Sequence, residues 1–277
     1  MMRRVLIAVV VGYLAVLLLG PVIAIVAQAF SQGVDTLWAA LTRVDVRQAF
    51  VMTLWIALTS VALCTVFGTI VAFVLVRQRF VGRSLLNGLV DLPFAVSPVI
   101  AGLMYILLFG RGGWFEPLVD AAGVKMIFNW PGMVLATTFV AIPFVIRELM
   151  PVLQSLGLDQ EQAAYTLGAS RWNTFWRVTL PSIKWALFYG IVLTFARALG
   201  EFGAVLVVSG GISGKTETAT LFIFRALDER EEVAATGAAL VMASLSFLIL
   251  IGMELLKRRP YAAPERDTAK ELASETA

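Results

Sequence analysis

Six long stretches of the chain are almost free of charge: Val5–Ala29, Ala49–Val76, Ser84–Gly110, Pro131–Ile146 with its flanks, Trp185–Val208 and Val233–Met253. A bilayer's hydrocarbon core is about 30 Å thick and takes roughly 20 apolar residues of helix. The pattern therefore predicts an all-α integral membrane protein with six transmembrane helices. Three of the stretches carry residues that sit badly in lipid. The third contains Asp91, Pro93 and Pro98, the fourth Pro143, and the fifth Arg197 and Glu201. From Lys257 on the chain turns polar, and Pro260 and Pro264 oppose continuation of the last helix. The expected organisation is an N-terminal helix and outer loop over 1–48, a membrane core over 49–256 and a polar tail over 257–277.

Arg3-Arg4 and Ala27-Gln28-Ala29 have the outline of a secretory signal. The apolar run between them exceeds the usual 7–15 or so residues of such a signal, so a retained anchor is expected. Composition agrees with the membrane reading: 59% of residues are hydrophobic, 15% are charged, and the mean hydropathy is +0.85. There is no histidine, and the single cysteine, Cys64, lies inside an apolar run. A disulfide framework, a CxxC site and a His/Cys metal site are thereby excluded. No nucleophile–base constellation points to a catalytic residue either.

Charge decides the orientation. Fourteen of the 22 Lys and Arg residues fall at the N-terminus, after the second span, after the fourth span and in the tail. Seven fall on the opposite side, and Arg197 is intramembrane. Cytoplasmic loops carry the excess of such residues, so both termini are predicted to be cytoplasmic. The basic face then suits anionic lipid headgroups as partner rather than nucleic acid.

On that same face, the connection between the fourth and fifth spans is long and reads as a soluble helix pair. Asp159 is placed to cap a first helix with Ala163, Ala164 and Leu167 on one face. Gly168 suits the left-handed residue that ends a helix. Ser170 is placed to cap a second helix with Trp172, Phe175, Trp176 and Thr179 along a stripe, stopped by Pro181. On spacing alone, a hairpin that merely packs beneath the bundle is an equal reading.

The segment 159–181 resembles the cytoplasmic "EAA" loop of binding-protein-dependent ABC importer permeases. That loop reads Glu-Ala-Ala, three residues, Gly, nine residues, Ile, one residue, Leu-Pro. This chain has Gln162-Ala163-Ala164, then Gly168, then Val178-Thr179-Leu180-Pro181. It departs at Gln162, although Glu161 precedes it, and at Val178. The resemblance implies that Glu161, Gln162, Ala163, Ala164, Gly168, Leu180 and Pro181 form a coupling helix docking on an ATPase subunit. It also implies the type I importer permease architecture.

A second resemblance covers nearly the whole chain. Leu92-Pro93-Phe94-Ala95-Val96-Ser97-Pro98, Trp130-Pro131-Gly132-Met133, Pro143-Phe144-Val145-Ile146-Arg147-Glu148-Leu149, Ala196-Arg197-Ala198-Leu199-Gly200-Glu201-Phe202-Gly203 and Val208-Ser209-Gly210-Gly211-Ile212 resemble motifs of sulfate/thiosulfate permeases, of the CysW type. The related molybdate permeases share parts of these motifs. The resemblance implies a bacterial inner-membrane subunit with several partners: a second homologous permease, two ATPase subunits and an extracytoplasmic binding protein. No cofactor is expected on this chain, because ATP and Mg belong to the partner ATPase.

The unusual intramembrane residues are candidates for the translocation pathway: Pro93, Ser97, Pro98, Arg197, Glu201 and Ser209. Pro93 and Pro98 each remove a helix hydrogen bond, so the third span should kink or break near mid-membrane. Broken backbone at that depth needs protein or a water-lined cavity against it. Arg197 and Glu201 lie four residues apart, on one helix face, and can neutralise each other. Such a pair suits an anion pathway; it equally suits a structural ion pair between helices.

Two signals carry less. Gly210-Gly211-Ile212-Ser213-Gly214-Lys215-Thr216 lacks the first glycine of a phosphate loop, because position 209 is Ser. It reads as a glycine-rich turn. The acidic run Asp228–Glu232 reads as a solvated loop or helix start. An ion-coupled secondary transporter would leave the cytoplasmic hairpin unexplained, and an intramembrane enzyme lacks its constellation. The expected function is the permease half of an ATP-driven sulfate/thiosulfate importer, with molybdate, tungstate or another oxyanion as the alternative cargo.

Overall fold

The computed structural model describes residues 2–257, and all their regular secondary structure is helical. In chain order the elements are α1 (Met2–Ala29), α2 (Val34–Leu41), α3 (Val44–Arg77), α4 (Arg83–Ala95), α5 (Pro98–Phe109), α6 (Glu116–Ala121) and α7 (Trp130–Ser155). They continue with α8 (Asp159–Thr166), α9 (Arg171–Thr174), a π-helical turn (Phe175–Thr179), α10 (Leu180–Leu199), α11 (Gly203–Ser209), α12 (Ala219–Asp228) and α13 (Glu232–Lys257). Apart from the backbone of Lys257, the predicted tail lies outside the described residues.

Among the described residues five helical stretches are long and apolar enough to span a membrane, and α4 with α5, bent by 112° at their junction, makes a sixth when the pair is counted as one span. The bend is the break that the prolines of this stretch predict, and it falls at one of the two. Val96 and Ser97 are extended, as the residue before a proline prefers, and Pro98 opens α5. Pro93 does not break the chain; it lies buried inside α4.

The fifth span differs at both ends from the predicted Trp185–Val208. Its helical run begins at Arg171, passes through the π turn and ends at Leu199. Residues 200–202 interrupt it, and α11 follows as a separate short helix. Pro181 therefore does not stop a helix but sits in the first turn of α10. Its ring crowds the carbonyl of Arg177 four residues back, and Arg177 lies within the widened turn that accommodates it.

The core is built on α7. More than half of its apolar stretch is buried, whereas none of that of α1 is. Lipid offers no hydrophobic drive between helices, so close approach over small residues replaces it. Val145 of α7 is flanked by glycines of two neighbours. A methyl placed on Gly68 of α3 would stand 3.0 Å from Val145 Cβ, and one on Gly190 of α10 would stand 3.2 Å from Val145 Cα. Ser60 adds an interhelical bond, its Oγ donating to the Val134 carbonyl at 3.1 Å. Around this contact pack Cys64, Leu75, Ile146, Leu149, Leu153 and Ile183.

The ends of α1, α2, α3, α12 and α13 near residues 28–45 and 217–232 are laced by ion pairs. Arg225 holds Glu217 through Nε and Nη2 at 2.7 and 3.2 Å, and Glu229 at 2.9 Å. Arg43 holds Asp45 at 2.8 Å and Glu231 at 2.6 Å, while Gln28 donates to Glu232 at 2.6 Å. Donating to the Glu217 carboxylate raises the Arg225 pKa, and donating to Asp45 does the same for Arg43. The acidic run 228–232 is thus largely paired rather than simply solvated, and Glu232 opens α13.

Helix α5 packs on α11 as closely as backbones allow, since a methyl on Gly102 would stand 2.7 Å from the Ala204 carbonyl oxygen. Gly102→Ala should therefore destabilise the purified chain by about 1–3 kcal/mol, read as a lowered thermal midpoint in detergent. The same change at Gly12, which has open space around it, should leave the midpoint unchanged or slightly raised. Equal midpoints for the two variants would contradict the close packing.

Candidate coupling loop and translocation site

The loop between α7 and α10 is shaped by local chemistry. Asp159 is not the cap of α8; Leu158 occupies that position, and Asp159 and Glu161 lie in the first turn, where the helix dipole favours acids. The helix ends at Gly168, whose φ is +83°. The Gly168 N–H donates to the Tyr165 carbonyl at 2.9 Å and the Ala169 N–H to the Ala164 carbonyl at 3.0 Å. That paired closure is the Schellman arrangement and needs the left-handed residue. Ser170 then caps α9, its Oγ accepting from the Asn173 N–H at 3.3 Å.

This segment presents large apolar side chains before and at the start of the fifth helical run. Leu167 is 88% exposed, and Leu158, Tyr165, Trp172 and Trp176 are also exposed. Trp172 and Trp176 stack edge to face at 5.5 Å, and Phe175 turns inward onto Phe73 of α3 at the same centroid distance. Exposed apolar groups concentrated in one place mark an interaction surface. Of the residues singled out for coupling, Gln162, Ala163, Gly168 and Pro181 are exposed, and Ala164 and Leu180 are half-buried. Glu161 is different. Its Oε1 meets Arg77 Nη2 at 3.0 Å and accepts from the Thr179 hydroxyl at 3.2 Å.

The second candidate region lies where the two helix breaks meet. A methyl on Gly203, the first residue of α11, would stand 3.0 Å from Pro98 Cβ, so the start of α11 abuts the start of α5. Glu201, in the second break, is 3% exposed. Its Oε1 accepts from the Ala204 N–H at 3.0 Å, and its carbonyl accepts from the Thr220 hydroxyl at 2.8 Å. Arg197 Nη2 approaches Glu201 Oε2 at 2.8 Å, in ion-pair contact but outside hydrogen-bond alignment. The Arg197 side chain keeps 30% of its surface exposed. The carboxylate therefore caps a broken helix with one oxygen and offsets the arginine with the other. An intramembrane charge costs about 2.5–3.5 kcal/mol even on the lenient insertion scale, so this pairing is what lets Arg197 stay there.

Ser97 is exposed at the opening of α5 and makes no cap bond. Ser209 is fully buried at the far end of α11, with its Oγ accepting from the Gly211 N–H at 3.0 Å. The Thr216 hydroxyl donates to the Ser209 carbonyl at 2.7 Å, and Gly210, Gly211 and Gly214 all have positive φ. This is the expected glycine-rich turn. The structure thus joins Pro98 to the Glu201 break and leaves the Ser209 hydroxyl enclosed elsewhere.

One clamp went unread in the sequence. Arg147 of α7 donates to Asp91 Oδ1 at 2.8 Å and Oδ2 at 2.5 Å, and to the Asn87 carbonyl at 3.1 Å. It ties α4, the first half of the bent span, to the core. The signal for it in the sequence is Asp91 itself, since an acid inside an apolar stretch needs a cationic partner.

Relatives share this architecture. The sequence profile described as binding-protein-dependent transport system inner membrane component matches residues 64–260. The chain is 49% identical over 247 residues to the sulfate transport system permease protein CysW of Synechococcus elongatus, covering 89% of this chain and 86% of that one. It is 46% identical over 245 residues to the CysW of Escherichia coli K12, with 88% and 84% covered. The CysT permease of the same E. coli strain is 39% identical over 247 residues, with 89% of each covered. In fold it resembles a chain of a bacterial ABC transporter that imports alginate, with a TM-score of 0.77 at 18% identity over 94% of this chain and 96% of that one. This chain therefore belongs to the family of binding-protein-dependent transport system inner membrane components, and within it to the CysW-type permeases.

Proposed function

We propose that this chain is the permease subunit through which an ATP-driven importer passes sulfate, with thiosulfate as a second cargo. The observation that carries the reading is end-to-end similarity to sulfate transport permeases, with matches spanning most of both chains. A second permease resembling the CysT protein completes the pathway, since that relative is itself 39% identical to this chain. A periplasmic binding protein delivers the anion, as one accompanies the alginate transporter of like fold. Two ATPase subunits supply the work, each using ATP and Mg. The membrane is the bacterial inner membrane, with both termini cytoplasmic, in keeping with the excess of Lys and Arg on that side.

The segment 159–181 is the ATPase docking element in this reading. Its support is the spaced motif together with the exposed Leu167, Trp172 and Trp176. Closure of the ATPase dimer around ATP moves the docked loops, and the two permeases rock to alternate access. At the helix breaks, Arg197 offers positive charge to a passing oxyanion. Glu201 offsets it, so that the anion is drawn in without being trapped. This chain makes and breaks no bonds of its own in the cycle.

Transport in proteoliposomes holding the assembled complex tests these assignments. Labelled sulfate should accumulate with ATP, and excess molybdate should compete for that uptake only weakly; strong competition by molybdate would reassign the cargo. Gly168→Asp places a side chain where φ is +83° and a charge on the docking face. It should abolish uptake while membrane insertion persists, and normal uptake with normal ATPase co-purification would refute docking there. Arg197→Ala should lower uptake per assembled complex at least tenfold, and the Glu201 carboxylate left without its counter-charge should lower the thermal midpoint as well. Glu201→Gln keeps an oxygen for the Ala204 N–H but gives up the charge that offsets Arg197, so it should lower the thermal midpoint less than Glu201→Leu, which gives up both and loses about 1–3 kcal/mol more.

A further inference from the structure

Helix α8 is attached to the rest of the molecule in an unusual way. None of its residues is buried, so no apolar side chain seats it against the bundle. Its side-chain ties to the spans are polar. Glu161 Oε1 meets Arg77 Nη2 at 3.0 Å, with both side chains nearly enclosed at 13% and 14% exposure. The same oxygen accepts from Thr179 Oγ1 at 3.2 Å. One residue before Glu161, Gln160 Oε1 accepts from Ser182 Oγ at 3.4 Å.

Each tie leads to a membrane element. Arg77 is the last residue of α3, a 34-residue helix about 51 Å long, which packs along α7 and α10. Thr179 closes the π turn, and its hydroxyl also reaches the Thr174 carbonyl at 3.5 Å. That turn runs directly into α10, whose far end carries Arg197. Single π turns concentrate at functional sites because they place one side chain out of the regular register. Here the last residue of the turn is Thr179, whose hydroxyl donates to Glu161.

We infer that Glu161 is a transmission strut: through Arg77 and Thr179 it passes displacement of the docked loop to α3 and α10 together, rather than contacting the ATPase itself. The physics favours this over a docking contact. A carboxylate this enclosed has no free face for another subunit, and removing one member of a buried pair leaves an uncompensated charge. A loop with no apolar anchor can move the spans only through its covalent ends or through such a tie. Glu161 is thereby a positioning residue, distinct from the exposed Gln162, Ala163 and Leu167 beside it. The inference rests on the proposed coupling role of segment 159–181.

The test uses the full complex in proteoliposomes and measures ATP hydrolysis and labelled sulfate uptake separately. Glu161→Gln and Arg77→Gln should each keep the ATPase subunits at wild-type stoichiometry and keep hydrolysis going. Uptake should fall at least tenfold, so the ATP hydrolysed per sulfate moved rises by the same factor. The double variant should be no worse than either single one, because one break already severs the strut. Thr179→Val, which retains the ion pair, should raise the ratio by a smaller factor, about threefold. An unchanged ratio in the single variants, or losses that multiply in the double, overturns the strut. Loss of the ATPase subunits from these variants overturns it too, by making Glu161 a docking residue. Loss of assembled complex from all of them likewise overturns it, as a mere folding brace. If Gly168→Asp transports normally, the coupling reading itself fails, whereas normal coupling in Glu161→Gln alone sinks only the strut.

Discussion

Every peptide group placed in lipid must find its hydrogen bond within the protein. A straight helix meets that demand alone; a broken one needs a neighbour. This chain breaks two of its spans, at Val96–Ser97 and at 200–202, and folds the two resulting short helices onto each other. Gly102 against Ala204, and Gly203 against Pro98, are the contacts that make the approach possible. Glu201 then satisfies the Ala204 N–H that the second break frees. The polar centre of the subunit is a consequence of this arrangement, because a charged carboxylate that caps one helix stands beside the arginine one turn before it.

The remainder of the molecule holds those breaks in place. Helix α7 forms the hub, with α3 and α10 drawn close over Gly68 and Gly190. Arg147 fixes α4 to that hub by four hydrogen bonds to Asn87 and Asp91, so the bent span has one end anchored and one packed on α11. Helix α3 exceeds the thickness of a bilayer core, and its two ends serve different faces. Asp45 joins the network of Arg43 and Arg225 at one end, and Arg77 meets Glu161 at the other. A single rigid helix thereby connects both surfaces of the subunit to the same core.

Local features were legible in the sequence to different degrees. Gly168 and Ser170 behave as their residue types suggest, because a left-handed closure and a side-chain cap are settled within a few residues. Pro181 did not, since a widened turn absorbs the strain of its ring and lets the helix run on. Pro98 broke its span where Pro93 did not, because extended conformation before a proline is realised only where a packing partner receives the turn. Arg147 and Asp91, 56 residues apart, could not be matched by any local pattern. Nor could the pairing of the acidic run 228–232 with Arg43, almost two hundred residues earlier.

What the sequence determined by itself was the class, the approximate place of the apolar spans, and the position of the helical loop between the fourth and fifth of them. Those follow from runs of apolar residues, from charge asymmetry and from turn-forming residues, which act over one helix length or less. Only the tertiary structure decided that the two breaks meet, that Glu201 caps α11 while holding Arg197, and that Glu161 turns inward to Arg77. The reason is rotational. A helix period says which residues share a face, but the neighbour that face meets is chosen by close approach at distant positions such as Gly68, Val145 and Gly190.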